Sequence, residues 1–234
     1  GAEITTFRHP TGNANGLTLD LAGRVLACEH SGRRVSRIDQ AGKVETVADS
    51  YEGKRLNSPN DVVVRSDGSI FFTDPPYGLP RHTEGKELPF NGVYRVDPSG
   101  PVHLLVDDFE RPNGLAFSPD ERTLYVDDSA RHHIRAFDVA SDGSLSNGRA
   151  LAELKPGAGE AGVPDGMKVD QEGQIYCTGA AGVWIFDRNG RFLGRIVTPE
   201  VPANLAWGDA DWKTLYITAQ TSLYRIRMHV PGIP

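Results

Sequence analysis

A short pattern recurs five times along this chain and restricts what it can fold into. Asn or Asp, commonly followed by Gly or Asp, leads into a short apolar run. The copies are Asn15-Gly16-Leu17-Thr18-Leu19, Asn60-Asp61-Val62-Val63-Val64, Asn113-Gly114-Leu115-Ala116-Phe117, Asp165-Gly166-Met167-Lys168-Val169 and Asn204-Leu205-Ala206-Trp207. Each continues through a turn into a second run, at Arg24–Cys28, Ser69–Thr73, Thr123–Val126, Gln174–Thr178 and Thr214–Thr218. A third follows at Val35–Asp39, Val93–Asp97, Ile134–Asp138, Val183–Asp187 and Leu223–Ile226, and a fourth is expected at Val44–Ala48, Val102–Val106 and Phe192–Val197. The Asn/Asp anchors lie 45, 53, 52 and 39 residues apart. Four antiparallel strands repeated every ~40–50 residues are the period of a β-propeller blade. A β-sandwich does not account for the recurring anchor, and the WD dipeptide of one large propeller class is absent.

Composition agrees with an all-β chain. The 234 residues include 26 Gly and 16 Pro, enough to supply turns between many short strands. Sustained helical periodicity is hard to find. With 38% hydrophobic residues the chain can bury a sizeable core. Lys plus Arg number 25 against 31 Asp plus Glu, a formal charge of −6, which argues against nucleic acid and against an anionic membrane surface as partners. No apolar run approaches a membrane span. Cys28 and Cys177 each lie in an apolar run and read as two buried thiols rather than a disulfide framework or a zinc site.

The expected organisation is one propeller domain over residues 1–234, with blades near 11–55, 56–110, 111–160, 161–201 and 202–230. Residues 1–10 add one more expected strand, Glu3–Phe7. It completes the last blade in a five-bladed closure, or it is the outer strand of an earlier, largely absent blade in a six-bladed one. Periodicity leaves both open.

The anchors carry the chemistry. A residue just before each innermost strand lies at one mouth of a propeller's central channel, so Asn15, Asn60, Asn113, Asp165 and Asn204 would form a ring of inward oxygens. Such hard ligands suit Ca²⁺ or Mg²⁺ and tolerate Mn²⁺ or Zn²⁺. The simpler reading of each anchor alone is a turn-forming Asn or Asp. Loops returning to this mouth carry Glu29-His30, Asp74-Pro75-Pro76-Tyr77-Gly78, Asp127-Asp128 and Thr178-Gly179. Glu29, Asp127 and Asp128 read individually as surface loop charge. His30 is the histidine placed at the mouth. No G-x-S-x-G elbow and no phosphate loop occurs.

Six segments together resemble the gluconolactonase branch of the regucalcin-like (senescence marker protein/gluconolactonase) lactonase family. They are Thr11-Gly12-Asn13-Ala14-Asn15-Gly16, Cys28-Glu29-His30, Leu56-Asn57-Ser58-Pro59-Asn60-Asp61, Thr73-Asp74-Pro75-Pro76-Tyr77-Gly78, Arg111-Pro112-Asn113-Gly114 and Val163-Pro164-Asp165-Gly166-Met167. The resemblance implies a six-bladed propeller holding one divalent cation, usually Ca²⁺, and hydrolysing sugar lactones such as glucono-1,5-lactone. It implies Asn113 and Asp165 as metal ligands, Asn60 as a contributor to the metal shell or to substrate binding, and Asp165 also as general base. Asn15, His30 and Tyr77 are then candidate substrate contacts. The family's first-blade Glu-Gly-Pro ligand motif does not occur here, which implies a blade of about 40–50 residues preceding Gly1 that supplies the acidic ligand. A monomer or weak oligomer is expected. The rival readings are the same fold acting on another lactone or an organophosphate ester, and a non-catalytic binding propeller. Compartment is left open.

Overall fold

A computed structural model describes residues 5–233, which fall into two compact units meeting at Leu104/Leu105. In the first unit, strands β1 (Ala14–Leu19), β2 (Val25–Glu29), β3 (Arg34–Ile38) and β4 (Val44–Ala48) form one sheet. A two-stranded hairpin, β5 (Ser50–Tyr51) and β6 (Lys54–Arg55), leads to the second sheet. That sheet comprises β7 (Val62–Val64), β8 (Ile70–Asp74), β9 (Asn91–Val96) and β10 (Val102–Phe109), the last crossing the unit boundary. The second unit holds β11 (Pro112–Phe117), β12 (Thr123–Asp128), β13 (His133–Val139) and β14 (Leu145–Glu153). They are followed by β15 (Met167–Val169), β16 (Ile175–Gly179), β17 (Gly182–Phe186) and β18 (Phe192–Val197). A last sheet of three closes the sequence, β19 (Pro202–Gly208), β20 (Thr214–Ala219) and β21 (Leu223–Arg227).

Each sheet is a meander in which chain neighbours pair antiparallel, and the five are the blades of an all-β propeller. The four-strand pattern and the three-strand last blade follow the sequence expectation, and the second strands start within about a residue of it. The β5–β6 hairpin is additional. Helix is confined, among the described residues, to one 3₁₀ turn at Pro80–His82, so no helix there is long and apolar enough to cross a membrane. Thr5–Phe7 carry no strand, which corrects that part of the Glu3–Phe7 expectation; Glu3 and Ile4 lie outside the described residues.

Strand alternation decides how blades pack. On β16, Ile175 and Cys177 pack with Ala116, Tyr125 and Ile134 of the third blade. Tyr176, between them in sequence, points to the other face and joins Leu205, Trp207 and Leu215 of the fifth. The Tyr176 and Trp207 rings meet edge to face, 5.3 Å between centroids. In the first unit Leu26, Cys28 and Val35 pack against Val62, Phe72 and Tyr94. Both cysteines are buried and free, as their apolar setting predicts. The opposite face of the first blade leaves Leu17 and Leu19 57% and 60% exposed beside a ~280 Å³ groove that Phe7 and Val25 help to line.

The first strands of neighbouring blades meet backbone to backbone, and glycine makes this possible. Gly16 N–H donates to Asn60 O at 2.7 Å, and Gly166 N–H donates to Ala203 O at 2.8 Å. A Cβ on Gly16 would stand 2.4 Å from Asn60 O; on Gly114, 2.1 Å from Asp165 O; on Gly166, 2.2 Å from Asn204 Oδ1. None of the three has positive φ, so the requirement is space rather than turn conformation. We predict that Gly114→Ala and Gly166→Ala each cost at least ~1–3 kcal/mol, read as a lowered denaturation midpoint, because the backbone facing them cannot retreat. Gly194→Ala is the control: no atom lies within 4 Å of its added Cβ and it should be neutral or mildly stabilising. Equal effects at all three positions would contradict the packing explanation.

Candidate functional site

Three of the five anchors lie within the first strand rather than before it. Asn15, Asn113 and Asn204 fall inside β1, β11 and β19, whereas Asn60 and Asp165 precede β7 and β15 by two residues. The register slips at the anchors of β1 and β11, between Ala14 and Leu17 and between Pro112 and Leu115. Such a bulge turns the anchor out of the ladder and re-aims its side chain.

The fifth anchor is misaligned by one residue. Asp61 N–H donates to Thr73 Oγ1 at 3.2 Å, and its Oδ1 accepts the Val62 N–H at 3.0 Å. Asn204 repeats both bonds, with Thr218 Oγ1 at 3.2 Å and the Leu205 N–H at 2.8 Å. Asn204 is therefore the counterpart of Asp61, and Ala203, whose carbonyl receives Gly166 N–H as Asn60's receives Gly16 N–H, is the counterpart of Asn60. The fifth blade brings no side-chain oxygen at the anchor position.

In the second unit, Asn113 is buried and Asp165 half-buried. Asn113 Nδ2 donates to Ser129 Oγ at 2.9 Å, and Ser129 Oγ donates to Pro164 O at 2.6 Å. One hydroxyl thus fixes the Asn113 amide and the residue preceding Asp165. With Nδ2 committed to Ser129, the planar amide turns Oδ1 the opposite way. Behind the anchors, Cys177 donates its thiol to Asp127 Oδ2 at 3.6 Å. Burial first, then the negative charges of Asp127 and Asp165, push that thiol up, keeping it protonated and inert. An amide oxygen on β11 and a carboxylate just ahead of β15 are hard donors that fit a divalent cation such as Ca²⁺. Among the described residues no group of three or more His, Cys, Asp or Glu could hold a metal ion.

In the first unit, Asn60 is buried, with its N–H donated to Thr73 O at 2.8 Å. Exposed Asn15 places Nδ2 3.2 Å from Nε2 of half-buried His30. Burial pushes the His30 imidazole down, favouring the neutral ring. The loop after β8 comes against the same histidine: a Cβ on Gly78 would lie 2.6 Å from His30 Cβ and 2.8 Å from Ser58 Cβ. Tyr77, half-buried beside Gly78, stacks edge-on to His82 with centroids 5.9 Å apart. Asn15, His30 and the Tyr77-Gly78 loop are thus neighbours.

The carboxylates read as surface loop charge are buried instead. Glu29 is held by Arg34 Nε at 2.8 Å and by Ser36 Oγ at 2.6 Å. Asp127 and Asp128 are both fully inaccessible. They end strands rather than occupying loops, and their charge is matched by hydrogen bonds instead of by water. Asp74, also buried, is pushed up to about 7 by loss of hydration, against the N–H groups of Asn57 and Ser58 and the charges of Arg33 and Lys86. Ser129, Asp128 and Asp74 were not singled out as individual functional residues. The available signal was a carboxylate at the end of a second strand, recurring at 29, 74 and 128.

Comparison with known proteins places the chain in a family. The family model described as "SMP-30/Gluconolactonase/LRE-like region" matches residues 2–221. A gluconolactonase from Zymomonas mobilis is 36% identical over 97% of this chain and 65% of its own. Lactonohydrolase oryL of Aspergillus oryzae is 30% identical over 82% of this chain and 49% of its own. The chain thus spans about half to two thirds of these two relatives. The solved gluconolactonase XC5397 of Xanthomonas campestris superposes with a TM-score of 0.84 at 38% identity, covering 95% of this chain and 73% of that one. With the family model matched over nearly its whole length, the chain belongs to the SMP-30/gluconolactonase family.

Proposed function

We propose that this protein hydrolyses a sugar lactone, such as glucono-1,5-lactone, to the aldonic acid, using a divalent cation. The observation that carries the reading is the Asn113–Ser129–Pro164 chain of hydrogen bonds, which fixes one amide on β11 and the segment leading into one carboxylate just ahead of β15. Asn113 and Asp165 would hold the cation, with Asn60 contributing to its shell or to the substrate. When bound, a cation supplies Lewis acidity to the lactone carbonyl. Ca²⁺ suits these donors best, with Mg²⁺, Mn²⁺ and Zn²⁺ as alternatives.

The protein's own residues supply the rest. Asp165, half-buried, takes a proton from the water that attacks the carbonyl carbon. A bond from that water oxygen to carbon forms, the ring C–O bond breaks, and the departing ring oxygen takes up a proton to become a hydroxyl. The product is a carboxylate with an open chain. Asn15, neutral His30 and Tyr77 present an amide, an imidazole and a phenol, groups that suit the hydroxyls of a sugar. The gluconolactonase relatives support the substrate class.

Hydrolysis of glucono-1,5-lactone, followed by acid release, should disappear with chelator and return with Ca²⁺. Asp165→Asn should lower kcat by about 100-fold or more, since it removes both the base and the anchor's charge. Asn60→Asp, which keeps an oxygen ligand, should lose less. Full activity of Asp165→Asn at saturating metal would remove the proposed role.

A further inference from the structure

Asp74 and Asp128 occupy one place in successive blades: each is the last residue of its blade's second strand, and each is buried. Both accept backbone N–H groups from the residues three and two positions ahead of an anchor. Asp74 Oδ2 accepts from Asn57 N–H at 2.7 Å, and the same carboxyl accepts from Ser58 N–H; these residues lead to Asn60. Asp128 Oδ2 accepts from Glu110 N–H at 2.9 Å and Oδ1 from Arg111 N–H at 3.2 Å, leading to Asn113.

Proline explains why a side chain is needed. Pro59 and Pro112 immediately precede the two anchors and have no N–H to give a ladder. The amides just ahead of each proline still need an acceptor once buried. A carboxylate accepts both and fixes the angle at which the chain enters the anchor. Asp128 does more. Its Oδ1 also accepts from Ala130 and Arg131 N–H, at 3.0 and 3.1 Å, which shapes the turn carrying Ser129. Ser129 in turn holds both Asn113 and Pro164. The fourth blade has Gly179 in the equivalent place, so no carboxylate of its own holds the residues ahead of Asp165, and Ser129 reaches that segment at Pro164.

We propose that Asp74 and Asp128 are positioning residues: Asp74 sets Asn60, and Asp128, through Glu110, Arg111 and Ser129, sets both Asn113 and Asp165. What these anchors then do rests on the function proposed above; how they are held does not.

The two carboxylates differ in a way that tests this. Asp74 Oδ1 has no hydrogen-bond partner among the described residues, so an amide can replace the acid and keep one accepting oxygen. Asp128 uses both oxygens, so an amide must turn its NH₂ toward a backbone donor. Hydrogen–deuterium exchange should therefore show residues 109–114 opening about tenfold faster or more in Asp128→Asn and Asp128→Ala. Residues 56–61 should open comparably in Asp74→Ala and stay near wild type in Asp74→Asn. Residues 202–227 should not change in any variant. Where the wild type hydrolyses the lactone, Asp128→Asn should lower kcat/KM about tenfold or more while Asp74→Asn stays close to it. Unchanged protection of 109–114 in Asp128→Asn, or faster exchange shared equally with 202–227, overturns the proposal; so does opening of 56–61 in Asp74→Asn equal to that in Asp74→Ala. A wild type inactive on lactones would overturn the function proposed above and leave the exchange result to decide this one.

Discussion

The backbone contact at the glycines that follow Asn15, Asn113 and Asp165 is the constraint on which the rest depends. Strands β1 and β7 approach until Gly16 N–H bonds Asn60 O, and β15 approaches the next blade until Gly166 N–H bonds Ala203 O. No side chain fits between them. Because the backbones touch, the residue just before each glycine is displaced from the ladder and delivered beside its neighbour's. Apolar packing between blade faces supplies the bulk of the favourable free energy. The glycine contacts set the spacing at which that packing occurs, and with it the separation of Asn113 and Asp165.

A second demand follows from the first. The ends of the second strands, packed beside these inner strands, are buried, so the polar groups there need protein partners. Glu29, Asp74, Asp127 and Asp128 meet that need in different ways. Glu29 pairs with Arg34 and Ser36, Asp127 takes a thiol, and Asp74 and Asp128 take backbone amides. Buried carboxylates bound to several donors are rigid acceptors, and rigidity is what an anchor amide requires if its oxygen is to point one way. The Ser129 hydroxyl shows how little is needed: one side chain aligns residues from two blades.

Much of the fold was legible from the sequence, because blade repeats are periodic and each strand alternates within a repeat. The Asn-Gly and Asp-Gly anchors of the first, third and fourth blades do lie at the start of each first strand, though Asn15 and Asn113 fall inside it rather than ahead of it. The fifth anchor was misaligned. Asn204 matches the anchor in residue type, yet its bonds to Thr218 and Leu205 are those of Asp61, and only the hydrogen-bond register separates Ala203 from Asn204. The role of glycine was also read too narrowly, as turn formation, since a close approach between segments far apart in sequence leaves no local signature. Asp127 and Asp128 read as loop charge because an acidic pair after a strand is usually solvated. Nothing in the order of residues shows that the Glu110 and Arg111 amides would be waiting for one of them.

The most direct measurement is a crystal structure of the protein soaked in calcium. It should show a Ca²⁺ ion about 2.3–2.6 Å from Asn113 Oδ1 and from a carboxylate oxygen of Asp165, with Asn113 Nδ2 still bound to Ser129. A calcium ion seated elsewhere, or none at saturating calcium, would contradict the assignment of these two residues as the metal centre of a lactone hydrolase.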